Sequence, residues 1–278
     1  MMGKQHYLFR AALAATVAGA ATARAQVADT VTVTSVTVVT AADTQRVDPD
    51  ALAALKRMGD YLRTLNAFQV KADITTENVG NDGQKLQLMS TADMIAKRPD
   101  KLRVEVVNSR QPRTFYYDGK SFTLWAPRLK YYATVDAPPT ARELFLKLED
   151  KYNIEMPFVD LFKWGTPDAN TDQITDATDI GPAVVNGITT EQYAFRQPGL
   201  DWQVWIQAGD FPLPLRLVLT TTDDDARPQH TSQYVWNLAP SYTDKAFAFV
   251  APPDAKKITF AEAGGPVVAM KKRGGTNK

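Results

Sequence analysis

The sequence predicts a mainly β, α+β protein: one large antiparallel sheet of about ten strands, covered by an N-terminal helix and an inserted helical lid. Three observations lead there. Alternation of apolar and polar residues dominates from Phe68 to Leu238, the period of half-buried strands. Turn-forming pairs such as Asp118-Gly119 separate these segments, and short connections make neighbouring strands antiparallel. Only residues 48–66 and 141–164 carry apolar side chains at spacings of three and four instead, so only they can cover the apolar sheet face.

Taken in order, residues 1–25 read as an export signal. Lys4 and Arg10 make a cationic start, Ala11 to Ala23 is apolar, and Ala23-Arg24-Ala25 offers small residues for cleavage before Gln26. The apolar run falls short of the roughly 20 residues that span a bilayer. A soluble periplasmic chain, cut after Ala25, is the expected product. No cysteine follows the cut, so that product is not itself a lipoprotein. Residues 26–47 alternate Thr and Val and predict a flexible leader with the propensity to add an edge strand.

The domain proper is expected over 48–261. Asp48 as N-cap and Pro49 at the first helical position open a helix whose stripe is Leu52, Leu55, Met58, Leu62 and Leu65. Strands follow: Leu102, Val104 and Val106 alternate with charged residues, and Phe115 and Tyr117 lead through Asp118-Gly119 to Phe122 and Leu124. Thr140-Ala141-Arg142-Glu143 is a capping box that opens a second helix with Leu144, Phe145 and Leu148 on its apolar face. A third is expected from Pro157, carrying Phe158, Leu161, Phe162 and Trp164, with Gly165 ending it. Strand patterns resume with Trp202, Val204 and Ile206, then Leu213, Leu215, Leu217 and Leu219, then Tyr234, Trp236 and Leu238. Pro214 predicts an edge or a bulge, and Asp223-Asp224-Asp225 a solvated loop. Residues 262–278 hold two Gly-Gly pairs and Lys271-Lys272-Arg273, which read as a disordered basic tail capable of transient contact with an anionic membrane surface.

Composition removes several chemistries. Among 278 residues there is no cysteine, which excludes disulfides, thiolate metal sites and cysteine nucleophiles. Of two histidines, His6 lies in the signal, so no multi-histidine metal site can form and any serine triad must use His230. Without Lys4, Arg10 and Arg24, the 31 acidic residues slightly outnumber the basic ones, which argues against nucleic acid as a partner. Asp172, Asp176 and Asp179 lack the spacing of a calcium loop and read as a solvated loop. No G-x-S-x-G, P-loop or G-x-G-x-x-G occurs. The expectation is a non-catalytic protein without metal or cofactor, with a hydrolase centred on His230 as the least favoured alternative.

Several segments resemble the outer-membrane lipoprotein carrier family, the LolA/LolB-like superfamily, in a branch of predicted periplasmic proteins without assigned function. They are Lys97-Arg98-Pro99 before the Leu102–Val106 strand, Tyr117-Asp118-Gly119-Lys120 before an aromatic strand ending at Pro127, and the helix 50–66 followed by Phe68-Gln69-Val70-Lys71. The stretch Ala246-Phe247-Ala248-Phe249-Val250-Ala251-Pro252-Pro253 is similar to that family's closing F-x-F-x-P-P. The resemblance covers about residues 50–260. It implies an incomplete antiparallel barrel closed by helices over an apolar cavity, and binding of lipid or lipoprotein acyl chains. It also implies that Arg98, at the position of the family's arginine, latches strand to lid.

On that reading the alternation selects the cavity face. Its expected lining is Leu102, Val104, Val106, Phe115, Tyr117, Phe122, Leu124, Leu144, Leu148, Phe162, Trp202, Val204, Ile206, Leu215, Leu217 and Trp236. The rival expectation is an envelope sensor or interaction module on the same scaffold, with a filled core and a protein partner.

Overall fold

The computed structural model describes residues 47–108 and 110–262. The export signal, the leader up to residue 46 and the tail from residue 263 lie outside the described residues. The chain begins with α1 (Pro49–Thr64), β1 (Ala67–Val79), β2 (Lys85–Lys97), β3 (Lys101–Val107), β4 (Arg113–Tyr117), β5 (Ser121–Ala126) and β6 (Tyr131–Asp136). Two helices follow, α2 (Ala141–Tyr152) and α3 (Asp160–Lys163). Then come β7 (Asp176–Val185), β8 (Ile188–Gln197), β9 (Leu200–Gln207), β10 (Pro214–Thr221), β11 (Gln229–Asn237) and β12 (Lys256–Ile258).

All twelve strands form one sheet in the order β12-β6-β5-β4-β3-β2-β1-β11-β10-β9-β8-β7. It consists of two meanders, β1–β6 and β7–β11, joined where β1 pairs with β11 from Gln69↔Asn237 to Thr76↔His230. The two ends of the row do not pair with each other, so the sheet is open. The strand count exceeds the expected ten by the segments with the weakest apolar alternation. β7 contains Asp176 and Asp179, which the sequence pattern assigns to a loop. β12 is the polar triplet Lys-Lys-Ile. It pairs with β6 in parallel, so the sheet is mixed rather than wholly antiparallel. A parallel neighbour needs a long crossover; here the whole second meander and its helices intervene between β6 and β12, and residues 238–255 carry the chain from β11 back to that edge.

Local chemistry explains the helices. The Asp48 carboxylate accepts the Asp50 amide at 2.9 Å, and Pro49 fills the first turn. Thr140 Oγ1 accepts the Glu143 amide at 3.3 Å and opens α2, which Asn153 ends in the left-handed region. α3 is shorter than the sequence predicts. Phe158 takes φ 68°, a conformation a bulky residue rarely adopts, so regular helix starts only at Asp160. Pro214 opens β10 between two neighbours, with a register shift between Pro214 and Arg216. It is therefore a bulge residue and not an edge one.

One face of the sheet packs on all three helices. Phe68, Val70, Met94, Leu102, Val104, Phe195, Val204 and Leu217 share a single core with Leu55, Met58 and Leu62 of α1, Leu144 and Leu148 of α2, and Leu161 and Phe162 of α3. The opposite face of the first meander is crossed by the C-terminal segment. The Tyr242 hydroxyl donates to the Ala96 carbonyl at 2.5 Å, Phe247 is fully buried, and Phe249 sits 5.0–5.8 Å from the rings of Tyr116, Trp125 and Tyr132. After β12 the chain turns round the edge, and Phe260 packs 6.1 Å from Phe122 and 5.2 Å from Tyr152 on the helical side.

Candidate functional site

The sixteen residues expected to line an apolar space occupy one side of the sheet. Thirteen are buried in the common core, and Val106, Leu124 and Trp236 are half-buried against it. Register explains the convergence. Leu102 pairs with Tyr117 and Val104 with Phe115, Phe115 pairs with Leu124 and Tyr117 with Phe122, and Val204 pairs with Leu217. Partners in register point to one face. Leu144, Leu148 and Phe162 meet them from the helices; the Phe162 ring lies 5.1 Å from Phe145 and 6.1 Å from Phe68.

The same face holds residues outside the expected lining. Phe68, Val70, Ala72 and Ile74 alternate along β1, and Phe195 stacks on Trp202 at 4.3 Å. The alternation at Phe68–Ile74 is a sufficient signal for the first group. Phe195 has no such clear pattern, because Gln192, Ala194 and Arg196 around it mix small and polar residues.

Arg98 is half-buried beneath the helices rather than exposed at a strand end. Its Nη2 donates to the Leu62 carbonyl of α1 at 3.4 Å, and its guanidinium carbon lies 4.7 Å from the Phe162 ring centre and 6.0 Å from that of Phe68. Cations are favoured both at a helix C-terminus and over an aromatic face. Its Nε is buried without a hydrogen-bond partner. Burial, and the neighbouring Arg63, depress its pKa. The flanking backbone reaches the second helix, since the Pro99 carbonyl accepts the Ala141 amide at 3.0 Å. Nearby, the Tyr117 hydroxyl donates to the Pro138 carbonyl at 2.6 Å, and burial raises its pKa.

Two glycines set how closely α1 meets the segment after α3. A Cβ on Gly59 would lie 2.5 Å from the Gly165 nitrogen, and Gly165 has φ 75°. Arg63 Nη1 donates to the Gly165 carbonyl at 2.8 Å.

Between α3 and the sheet lies a recess of about 70 Å³, lined by Trp164, Leu200, Trp202, Leu217 and Leu219 with Asp160, Lys163, Asp168, Asn170 and Gln197. A smaller one, about 10 Å³, separates α3 from α2. Of the expected lining residues, Trp202 and Leu217 border the first and Phe162 the second. Deeper on the same face, His230 Nδ1 is 3.0 Å from Thr76 Oγ1, and Nε2 is 3.1 Å from Ser232 Oγ. Burial lowers the His230 pKa, against an opposing pull from Asp160. Burial raises that of Asp160, with Lys163 and His230 opposing. Asp172 lies in a 3-10 turn while Asp176 and Asp179 lie in β7. Among the described residues no group of three or more His, Asp or Glu side chains is placed to hold a metal ion.

These features define a class: an open, mainly antiparallel sheet that encloses an apolar interior beneath three helices. The chain belongs to the family of predicted periplasmic proteins DUF2092, which it matches over residues 51–261, and it is periplasmic. No curated protein matches it. Among solved structures it is similar to an uncharacterized conserved protein from Thermus thermophilus, with 13% identity, TM-score 0.44, and 76% of this chain and 99% of that one covered. It is also similar to LprF from Mycobacterium bovis, with 15% identity, TM-score 0.44, and 75% and 99% covered. A LolA superfamily protein from Nitrosomonas europaea is similar at 10% identity, TM-score 0.35, with 72% and 97% covered. The resemblance read from the Lys97-Arg98-Pro99 and Tyr117-Asp118-Gly119-Lys120 segments, in a branch of predicted periplasmic proteins, thus meets a family of that description.

Proposed function

We propose that this protein is a non-catalytic periplasmic binder or carrier of acyl chains, of lipids or lipoproteins, taken up between the sheet face and its helical cover. The observation that carries the reading is the cover itself. An apolar face drawn from most strands of the sheet is closed at one side by a four-residue helix with a recess on each flank. Each methylene removed from water contributes about 0.8 kcal/mol, so one chain binds usefully without polar recognition. In this reading Arg98 is the latch, because it touches a carbonyl of α1 and a ring of α3 at once.

Native mass spectrometry of the exported chain, residues 26–278, purified from its own periplasm without detergent, tests the proposal. Lipid mass adducts that vanish on organic extraction support it. A bare chain that also takes up no fluorescent fatty acid refutes it. Arg98→Leu is expected to raise uptake of a hydrophobic probe; unchanged uptake and stability would remove the latch role.

One observation favours a second reading, an envelope sensor with a filled core and a protein partner. The recess beside α3 is small, and apolar side chains such as Val250 (84% exposed) and Met89 (76%) face solvent. A bare mass in the same experiment would point there.

A further inference from the structure

Two connections of the first meander, β3–β4 and β5–β6, leave the same end of the sheet and carry charge of one sign. The stretches from Val107 to Thr114 and from Ala126 to Tyr131 contain Arg110, Arg113, Arg128 and Lys130 and no carboxylate. All four cations are exposed. The short strand at the neighbouring edge adds Lys256 and Lys257, also exposed, and the Lys256 amide donates to the Lys130 carbonyl at 2.8 Å.

Nearby carboxylates leave this charge uncancelled. Asp254 takes Lys130 at 2.5 Å, and Glu105 takes Arg103 at 2.9 Å. Arg110 and Arg113 have no carboxylate partner among the described residues; the Arg113 Nη2 donates to Gln111 Oε1 at 2.6 Å. Asp82 stands at the tip of the β1–β2 hairpin, and beyond that hairpin the β10–β11 turn carries Asp223, Asp224 and Asp225. The rim is therefore basic on the first meander and acidic on the second.

The basic side also presents apolar groups to solvent. Leu129 is 60% exposed on the β5–β6 turn, between Arg128 and Lys130, and Val107 is 51% exposed at the end of β3. The turn is braced from inside. The Leu129 and Lys130 amides donate to the carbonyls of Ala126 and Pro127 at 3.1 and 3.3 Å, and Arg128 Nη1 donates to the Arg110 carbonyl at 2.9 Å. A convex turn with a leucine at its tip offers a protein partner little area, since stable interfaces bury about 800 Å² per side. It suits a lipid surface, where the leucine enters the headgroup boundary and long basic side chains reach phosphates.

We infer that this basic side of the rim is a docking surface for an anionic phospholipid bilayer, with Leu129 inserted and Arg110 and Arg113 among the cations on the headgroups. The inference goes beyond the acyl-chain reading and does not need it, because it concerns the outside of the sheet.

Co-sedimentation of the exported full chain with vesicles tests it. One set is phosphatidylcholine alone, and the other is phosphatidylcholine and phosphatidylglycerol in equal parts. Binding is expected to the anionic set only and to weaken with salt. Each cation near such a surface contributes about fivefold in affinity, so Arg110→Gln with Arg113→Gln should weaken binding about twentyfold. Arg110→Lys with Arg113→Lys should keep most of it. Leu129→Ser should cost about tenfold, the scale of a lost leucine contact with an apolar phase. All these positions are exposed, so unchanged denaturation midpoints report that the variants are folded. A control replaces Lys271, Lys272 and Arg273 of the tail by Gln and should bind as the unmodified protein does. Equal binding to both vesicle sets, binding to neither, or binding that survives the double Gln variant but is lost in the tail control overturns the assignment.

Discussion

The sheet carries two covers, and they are built differently. On the outer face, the C-terminal segment buries Phe247 completely, wedges Phe249 among three aromatic rings and adds a strand to the edge. Asp244 takes both Lys97 and Lys101, at 3.0 and 2.6 Å. On the inner face, α3 is one turn long, has a recess on each side and rests on a glycine pair and a half-buried arginine. The outer cover is fixed by interlocking burial plus main-chain pairing. The inner one buries more apolar side chains, Phe158, Leu161, Phe162 and Trp164 among them, but adds no strand to the sheet. The contrast teaches two ways to close a sheet face: one by pairing with its edge, the other by side-chain packing alone, without sheet hydrogen bonds to hold it in register.

The largest expected effect falls on the outer cover. Phe247→Ala should cost about 3–5 kcal/mol in chemical denaturation, as buried phenylalanines do. A loss below about 1 kcal/mol, the ordinary scale of a surface change, would erase the contrast. Next is the glycine pair. Ala in place of Gly59 gains about 1 kcal/mol of helix propensity, but its Cβ would meet main-chain atoms of Gly165 at 2.5 and 2.8 Å. Overpacking of that kind costs about 1–3 kcal/mol, so Gly59→Ala should destabilise and, by pushing α3 outward, increase fatty-acid uptake. Destabilisation without greater uptake would separate the two covers less than the structure implies.

The pH responses differ in sign. Burial raises the Asp160 carboxyl above its ordinary pKa. The cost of burying its charge is therefore fully present above the folded pKa and is relieved as pH falls through it. Asp160→Asn should stabilise the protein at neutral pH, and the gain should shrink on acidification. For Asp244, hydrogen bonds from Lys101 and then Lys97 lower the pKa. Its contribution is present above the ordinary aspartate value and is lost as pH drops through the folded one. The pair is exposed, so Asp244→Asn should give the smallest change, and one that high salt removes. Denaturation midpoints of both variants from neutral to acid pH decide the signs.

Much of this was legible in the residues. Asp48 and Pro49 mark the start of α1, Thr140 marks α2, and Asp118-Gly119 marks a hairpin, because each rule is local: a cap, a missing N–H, a turn that needs φ 88° at Gly119. The face shared by Leu102, Phe115, Trp202 and Leu217 follows from period-two alternation alone. What stayed hidden depends on distant partners. Nothing in Lys256-Lys257-Ile258 announces a parallel strand, because its hydrogen bonds are fixed by β6. Nor does Ala246-Phe247-Ala248-Phe249 reveal that its rings pack on the outer face. β7 was masked by its aspartates, which an edge strand tolerates with its unpaired side in solvent. Lys163 and Gln197 line one recess although 34 residues separate them, and no spacing in the chain encodes that.

The seam between β1 and β11 has a consequence for how the protein reaches its folded state. Each meander closes by hairpins, at low loop-closure cost, whereas the seam brings Gln69 to Asn237 and must close one long loop. The first meander is complete at β6, yet one side of β1 has no partner until the second meander is in place. For that interval the nascent protein presents a long open strand edge, the feature most prone to pair with the wrong chain. Substitutions that slow the second meander, in β9 or β10, should therefore lower the recovery of soluble protein more than their effect on final stability accounts for.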